Sequence, residues 1–227
     1  MLVIFDLDGT LLNTIADLGE ACNHALSACG LPTHRREEYP RLVGNGVKKL
    51  IERALPKVCR EQGEMIDSAG QMLTTQQWVE RVAEVFIPYY DEHNCDYTTP
   101  YDGISELLDT LKSRGYRLAV ASNKYQAATE KIVGHFFPNV FDVVLGERVG
   151  VPRKPDEQIV RDIEGVVGEC ASLYVGDSLV DRDTARNACV PFVACSWGFV
   201  SRDVLANAEI QTIIDRPQEL LKVKTEE

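Results

Sequence analysis

The sequence lacks the features that mark several large classes of protein. Although 44% of its 227 residues are hydrophobic, no stretch approaches the roughly 18 uninterrupted apolar residues of a membrane-spanning helix. Basic residues number 24 against 35 acidic ones, and they form no cluster of the kind that binds nucleic acid. The start, MLVIFDLDG, has no basic region, so we expect no signal peptide. These absences favour a cytoplasmic globular protein that binds neither membranes nor nucleic acid.

Cysteine and histidine are present, but without the spacing of a metal site or a disulfide framework. The seven cysteines are an odd number, no C-x-x-C pair occurs, and the four histidines are scattered. This usage favours reduced, mostly buried thiols, as in a cytoplasmic protein. The formal net charge is −11. An anionic ligand would therefore need a metal ion or a few local cations to bind, because the field of the whole molecule repels it.

Hydrophobic patterning divides the chain into a core and an insertion. The run beginning at Val3 predicts a buried strand, and a helix follows over about 13–29. Between about 33 and 93 the spacing is helical, including the segment EMIDSAGQML, and we expect no strand there. After Pro100, strands and helices alternate, which is typical of a parallel sheet with helices on both faces.

The predicted fold class is therefore α/β, a Rossmann-like parallel sheet with helices on both faces, carrying an inserted all-α domain. The core would comprise residues 1–14 and 95–227, and the insertion residues 15–94. The final residues, TEE, are expected to fray.

Polar residues follow four apolar runs, at points where strands are predicted to end. Because ligands of open parallel sheets bind at the carboxyl ends of the strands, we expect these side chains to converge. Taken singly, each has an ordinary explanation as a turn, a helix cap or a solvated helix residue. Their order after successive strands favours a site instead. They are Asp6 and Asp8 in IFDLDGT, Ser122 and Asn123 in LAVASNK, Lys154 in VPRKPD, and Asp177 and Asp181 in LYVGDSLVD.

This set of side chains suits the chemistry of phosphoryl groups. Several carboxylates in one place repel each other unless they share a cation, and aspartate and carbonyl oxygens suit Mg²⁺. Lys154 with hydroxyl and amide donors would grip an anionic phosphoryl group. Asp6 can attack phosphorus to form an aspartyl phosphate. Asp8, brought round by a bend that Gly9 permits, can act as general acid and base.

Together these motifs resemble those of the haloacid dehalogenase superfamily, with DLDGT at 6–10, ASN around Ser122, KPD after Arg153 and GDSLVD at 176–181. The resemblance implies that the helical insertion is a cap of the family's first type. It also implies phosphoryl transfer rather than dehalogenation, because the superfamily's dehalogenases lack the second aspartate of D-x-D. The resemblance implies that Asp6 is the nucleophile and a Mg²⁺ ligand, and that Asp8 is the general acid/base and binds Mg²⁺ through its carbonyl oxygen. It implies that Ser122 and Lys154 bind the phosphoryl group, with Asn123 nearby. Asp177 would be a further Mg²⁺ ligand, and Asp181 would support it.

Within the superfamily the chain looks most like the phosphoglycolate phosphatases, through GNGVKKLI, GERVGVPRKPD, GDSLVDRDTARNA and SWGF. It departs from their pattern at Asn13, where many members have Asp, and at Glu157, where K-P-x-P has its second proline. The resemblance implies a Mg²⁺-dependent phosphatase that is a monomer or a homodimer. Its substrate would be a small phosphomonoester, and 2-phosphoglycolate is the first candidate. A β-phosphoglucomutase-like transferase, a pyrophosphatase and a non-catalytic phosphate-binding regulatory protein remain the alternatives.

The insertion also contains candidates for substrate specificity. The Gly-Asn-Gly turn precedes a predicted helix, so its backbone N–H groups can meet a substrate carboxylate, and a lysine follows two residues later. A plain turn at the start of a helix is the alternative explanation. The candidates are Gly44, Asn45, Gly46 and Lys48.

Overall fold

The chain folds into two compact units in a computed structural model that describes residues 1–168 and 170–223. One unit contains Met1–Asn13 and the chain from Thr99 onward, and the other is Thr14–Thr98. The predicted boundaries, after residue 14 and before residue 95, lie near these positions. The tail at 225–227, expected to fray, lies outside the described residues.

The strands and helices are numbered here in chain order. The strands are β1 (Leu2–Phe5), β2 (Leu12–Asn13), β3 (Glu64–Ile66), β4 (Met72–Thr74), β5 (Thr99–Pro100), β6 (Arg117–Tyr125), β7 (Val143–Glu147), β8 (Ser172–Gly176), β9 (Phe192–Cys195) and β10 (Ile213–Ile214). The helices are α1 (Ile15–Ala28), α2 (Tyr39–Leu42), α3 (Gly46–Ala54), α4 (Lys57–Gln62), α5 (Thr75–His93), α6 (Ile104–Ser113), α7 (Gln126–Phe136), α8 (Gln158–Val167), α9 (Leu179–Asn187) and α10 (Arg202–Ala206), with 3₁₀ helices at Arg36–Glu38 and Pro217–Lys222.

Six parallel strands form the sheet of the first unit, in the order β10-β9-β8-β1-β6-β7. The chain moves one way along the sheet from β6 to β7, and the other way from β7 through β8 and β9 to β10. Right-handed crossovers therefore place α7 on one face and α8 and α9 on the opposite face. The predicted Rossmann-like core with helices on both faces is confirmed.

A buried apolar cluster joins the central strands to α8 and α9. Leu2 and Ile4 of β1 pack there with Tyr174 of β8, and each buried aliphatic side chain contributes about 1.5–3 kcal/mol. The register places Phe5 opposite both Val120 of β6 and Val175 of β8. The residues that follow these three strands therefore emerge at the same edge of the sheet.

In the second unit, α1 packs against α5, with Leu26, Trp78 and Phe86 among the fully buried side chains. The expectation of helix throughout this unit is wrong for the segment EMIDSAGQML, which forms an antiparallel hairpin of β3 and β4. Its turn is closed by Asp67, whose Oδ1 accepts hydrogen bonds from Ala69 N and Gln71 N, both at 2.9 Å. A side-chain acceptor of this kind favours a turn over a helix.

The described residues include no helix with the length and apolar character needed to span a bilayer. All seven cysteines lie among the described residues, and no disulfide joins any of them. Cys22, Cys59 and Cys195 are buried, whereas Cys170 and Cys189 are exposed. The expectation of mostly buried thiols is therefore correct for only part of the set.

Candidate active site

The three central strands bring the predicted catalytic residues together at their carboxyl ends. Asp6 follows β1 and donates its N–H to Val175 O of the neighbouring strand at 2.9 Å. Asp177 follows β8, and Asp181 lies in the first turn of α9. One carboxylate oxygen of each of these three aspartates lies within 4.8 Å of the others, and all three residues are buried.

A tight bend follows Asp6 and carries the next residues back over the sheet edge. The amides of Leu11 and Leu12 both donate to Leu7 O at 3.0 Å. Gly9 has a φ of +90°, and a Cβ at this position would collide with the carboxylate of Asp177. Glycine is required here both for the backbone conformation and for the close approach of the bend to Asp177.

Lys154 reaches the same site from the segment between β7 and α8, and its side chain is 3% exposed. Its Nζ donates to Asp6 Oδ1, Asp181 Oδ1 and Ala121 O, each at 2.8 Å, and lies 3.1 Å from the hydroxyl of Tyr174. Burial alone would lower the pKa of this lysine, but the carboxylates of Asp181 and Asp6 raise it well above its ordinary value. Lys154 is therefore a fixed ammonium group between two carboxylates.

Asn123 holds the backbone of Lys154 in place. Its Nδ2 donates to Lys154 O at 3.1 Å, and its Oδ1 accepts from Lys154 N at 3.0 Å. The predicted role of Asn123 in binding phosphate stays a prediction, whereas the structure gives its amide a role in positioning the lysine. Ser122, which is 2% exposed, accepts a hydrogen bond from Lys124 N at 3.1 Å, and its hydroxyl can still donate one to an anion.

Asp177 is held by two segments of the first unit. Phe199 N donates to Asp177 Oδ2 at 2.7 Å, and the hydroxyl of Thr10 lies 3.5 Å from Oδ1. Burial and the neighbouring carboxylates of Asp181 and Asp6 raise the pKa of Asp177 well above its ordinary value.

Asp181 has protein partners on both of its oxygens. Oδ2 accepts from the amide and hydroxyl of Ser178, at 3.1 and 2.6 Å, in the capping box of α9. Oδ1 accepts from Lys154. Asp181 thus anchors the lysine, and its predicted supporting role around a metal stays a prediction.

Asp8 is paired with a second buried lysine. Lys124 Nζ lies 3.1 Å from Asp8 Oδ1, and the two side chains are 4% and 18% exposed. Sequence reasoning missed this lysine, although it directly follows Ser122 and Asn123. Tyr174 and Phe199 were missed too, because their contacts to Lys154 and Asp177 depend on strand register and on loop geometry that no spacing reveals.

The donor set fits a divalent cation. Four carboxylates, Asp6, Asp8, Asp177 and Asp181, face two ammonium groups, which leaves two negative charges in a largely buried place. Burial and the nearby Asp181 carboxylate raise the pKa of Asp6 to about 7 even though the Lys154 ammonium opposes the shift, as expected of a buried carboxylate among other carboxylates. All the candidate ligand atoms are oxygens, which is the set that Mg²⁺ selects.

The four candidate specificity residues lie at the start of α3 in the second unit. Gly44, Asn45 and Gly46 all have positive φ values, of 106°, 65° and 80°. Arg53 holds this turn, because its Nη1 lies 2.9 Å from Gly44 O and 3.0 Å from each of the two preceding carbonyl oxygens. Lys48 is exposed. A role for these residues in specificity stays a prediction.

The fold and the cluster of aspartates and lysines define a hydrolase class that a comparison of sequences also identifies. A family model described as haloacid dehalogenase-like hydrolase matches residues 3–195. The chain belongs to the haloacid dehalogenase-like hydrolases, as its motifs predicted.

Relatives from several bacteria resemble the chain over nearly its whole length. A phosphoglycolate phosphatase from Mesorhizobium japonicum is 32% identical over 89% of this chain and 86% of its own. The crystal structure of a predicted phosphoglycolate phosphatase from Haemophilus somnus has a TM-score of 0.84 and 28% identity, covering 97% of this chain and 96% of its own. A variant of CbbY from Rhodobacter sphaeroides, in complex with xylulose 1,5-bisphosphate, has a TM-score of 0.72 and 25% identity, covering 96% and 95% of the two chains. The chain is thus phosphoglycolate phosphatase-like, and the predicted enzyme class, a phosphoric monoester hydrolase, is confirmed.

Proposed function

We propose that this hydrolase is a Mg²⁺-dependent phosphatase that cleaves a small phosphomonoester through an aspartyl phosphate on Asp6. The first candidate for the substrate is 2-phosphoglycolate. The observation that carries the proposal is the contact of Lys154 with Asp6 at 2.8 Å, inside a cluster of three buried carboxylates. The side chains proposed as the nucleophile, as the cation for the phosphoryl oxygens and as the metal ligands therefore lie close to one another, which supports the proposal. The substrate rests on the phosphoglycolate phosphatases that the chain resembles.

The proposed hydrolysis of the phosphomonoester has two steps. In the first, a carboxylate oxygen of Asp6 forms a bond to phosphorus while the bond from phosphorus to the leaving oxygen breaks, and Asp8 gives that oxygen a proton. In the second, Asp8 takes a proton from a water molecule that attacks phosphorus, which releases phosphate and restores Asp6. Lys154 and the Ser122 hydroxyl hold the phosphoryl oxygens throughout both steps.

Asp6, Asp177 and the backbone carbonyl of Asp8 would hold the Mg²⁺ ion, with Asp181 in support. When bound, the ion would offset the negative charge of the carboxylates and of the phosphoryl group. The side chain of Asp8 pairs with Lys124, and its carboxyl group is the proposed site of proton transfer.

The Thr14–Thr98 unit is the proposed cap, and Gly44, Asn45, Gly46 and Lys48 are its proposed specificity residues. The support is chemical, because the turn presents backbone N–H groups at the start of α3 and the lysine adds a positive charge, both suited to a carboxylate. The cytoplasm is the proposed compartment, which the seven cysteines outside disulfides support.

The test is phosphate release from a panel of compounds, with Mg²⁺ and with EDTA. The panel comprises 2-phosphoglycolate, sugar phosphates, pyrophosphate and nucleotides. We expect Mg²⁺-dependent release with a preference for 2-phosphoglycolate. A preference for another monoester would discard the substrate and keep the chemistry, and a preference for pyrophosphate would favour a pyrophosphatase. Isomerisation of glucose 1-phosphate without release would favour the mutase.

Replacing the nucleophile tests the mechanism directly. Asp6→Asn keeps the size of the side chain and one accepting oxygen, but it replaces the other oxygen by an amide nitrogen and removes the negative charge that makes the carboxylate a nucleophile. We expect phosphate release to fall by about 10⁴-fold or more, because no covalent intermediate can form, while the circular dichroism spectrum is unchanged. Full activity in this variant would contradict the mechanism. Asp142→Asn, which changes a partly exposed carboxylate of the same unit that pairs with Arg117, is the matched control and should retain wild-type activity.

A further inference from the structure

Lys124 lies in the candidate active site, but the two-step mechanism gives it no role. Its Nζ lies 3.1 Å from Asp8 Oδ1, and its side chain is only 4% exposed. Exposed ion pairs are screened by water and contribute little. A nearly buried ammonium beside a carboxylate interacts more strongly, because the local dielectric constant is lower.

The backbone around Lys124 departs from a regular strand. Ala121 pairs with Leu145, and the next pair is Tyr125 with Glu147. Three residues of β6 therefore lie opposite a single residue of β7, which is a β-bulge. Bulges redirect side chains and are common next to active sites. Here the bulge contains Ser122, Asn123 and Lys124 together.

Hydrogen bonds within this bulge hold both the backbone N–H and the backbone carbonyl of Lys124. Its N–H donates to Ser122 Oγ at 3.1 Å, and its carbonyl accepts from Thr129 Oγ1 at 3.0 Å. The residue opposite is Gly146, where a Cβ would collide with Lys124 O and with Thr129 Oγ1. The lysine is thus aimed at Asp8 from a backbone that packing holds in one position.

We propose that Lys124 is a positioning residue for the general acid. It holds the carboxyl group of Asp8 in the orientation that delivers a proton to the leaving oxygen, and it stabilises the negative charge that remains on Asp8 afterwards. The inference rests on the proposed phosphatase function. In this step the bond from phosphorus to the leaving oxygen breaks as the bond from Asp6 to phosphorus forms, the proton passes from Asp8 to the leaving oxygen, and Asp8 becomes a carboxylate beside the ammonium of Lys124.

This role makes the importance of Lys124 depend on the leaving group. The alkoxide released from an alkyl phosphate needs a proton as it departs. The anion released from p-nitrophenyl phosphate is stable without one. A lysine that bound only the phosphoryl group would serve both substrates equally, since they share that group.

The experiment compares kcat/KM of Lys124→Met with that of the wild type on two substrates, with Mg²⁺ present. The substrates are the alkyl monoester that the panel favours and p-nitrophenyl phosphate. The ratio kcat/KM reports the steps up to the transfer of phosphorus to Asp6, so the later hydrolysis of the aspartyl phosphate does not enter. We expect a fall of about 100-fold for the alkyl substrate, a typical general-acid contribution, and a fall below about 5-fold for the aryl substrate.

Control variants separate this effect from general damage. Lys112→Met removes the same charge from an exposed position of the same unit, beside Asp142, and should change neither value. Lys124→Arg restores the charge and should bring the ratio between the two substrates back toward that of the wild type. Thermal unfolding of each variant reports folding, and Lys124→Gln takes the place of Lys124→Met if the latter does not fold.

Each outcome decides between the roles. Equal losses on both substrates would overturn the inference and assign Lys124 to the phosphoryl group. A lower unfolding temperature with unchanged kcat/KM values would overturn it in favour of a structural ion pair. A wild-type enzyme that releases phosphate from neither substrate would refute the proposed function itself, and the inference with it.

Discussion

At the scale of single residues, the pKa of the buried Asp6 carboxylate would make the proposed binding of Mg²⁺ depend on pH. Burial and the nearby Asp181 carboxylate raise the pKa of Asp6 from 3.8 to about 7 in the metal-free protein. Protonation of Asp6 therefore favours the folded metal-free state at low pH, and this stabilisation is lost as the pH rises through the folded pKa. A cation that binds Asp6 must displace this proton below that pKa, but not above it.

We therefore expect Mg²⁺ to raise the unfolding temperature more at about pH 8 than at about pH 5.5. The measurement is a thermal unfolding scan at each pH, with saturating Mg²⁺ and with EDTA. Asp6→Asn cannot take up the proton or supply a charged ligand, so its shift should be small at both pH values. A larger shift at the lower pH would contradict the assignment of Asp6 to the metal.

At the scale of secondary-structure elements, the segment after β9 packs against the proposed metal ligand Asp177. A Cβ on Gly198 would collide with the Cβ and the carboxylate of Asp177 and with Gly9 O. The next residue, Phe199, donates its N–H to Asp177 Oδ2. A side chain at position 198 must therefore displace either the segment or the aspartate, because the atoms that it meets belong largely to rigid groups.

We expect Gly198→Ala to raise the Mg²⁺ concentration that gives half-maximal activity by about tenfold or more. Changes to the residues that hold metal ligands in place typically weaken metal binding by at least this factor. The matched control is Gly165→Ala in α8, where a Cβ meets nothing within 4 Å. That variant should keep wild-type Mg²⁺ dependence and gain slightly in stability from its higher helix propensity. An unchanged Mg²⁺ requirement in Gly198→Ala would refute the role given to this segment.

The elements also show how far the sequence alone could predict this structure. The parallel core was predictable, because its strands are continuous apolar runs and its helices have clear amphipathic spacing. The hairpin of β3 and β4 was not, because each strand has only three residues and places apolar residues side by side, with Ile66 and Met72 exposed, so no alternation of apolar and polar side chains marks them. Its decisive feature is a pair of side-chain hydrogen bonds from Asp67 within the turn.

The candidate site was predictable where a residue directly follows a strand, as with Asp6 and Asp177. The site was less predictable where the position of a side chain depends on a β-bulge or on the register between strands. Lys124 lies only two residues beyond Ser122, yet its approach to Asp8 depends on the bulge opposite Gly146. The contact of Tyr174 with Lys154 likewise depends on which strands are neighbours in the sheet.

At the scale of the whole molecule, the net charge of −11 opposes the approach of an anionic substrate. The proposed attraction of the substrate at the site is local, since it would come from Lys124, Lys154 and the proposed ion. Salt shortens the range of electrostatic interactions from about 30 Å at 0.01 M to about 8 Å at 0.15 M. Added salt therefore screens the distant repulsion more completely than the short contacts inside the buried site.

It follows that kcat/KM for a phosphomonoester should rise by about two- to fivefold as monovalent salt increases over this range at constant Mg²⁺. The value of kcat should stay constant, because the bound substrate is held by short contacts that salt screens little. Steady-state kinetics in sodium chloride and again in potassium acetate would separate screening from the effect of a particular ion. A value of kcat/KM that falls from the first addition of salt would mean that the local cations, and not the net charge, govern the approach of the substrate.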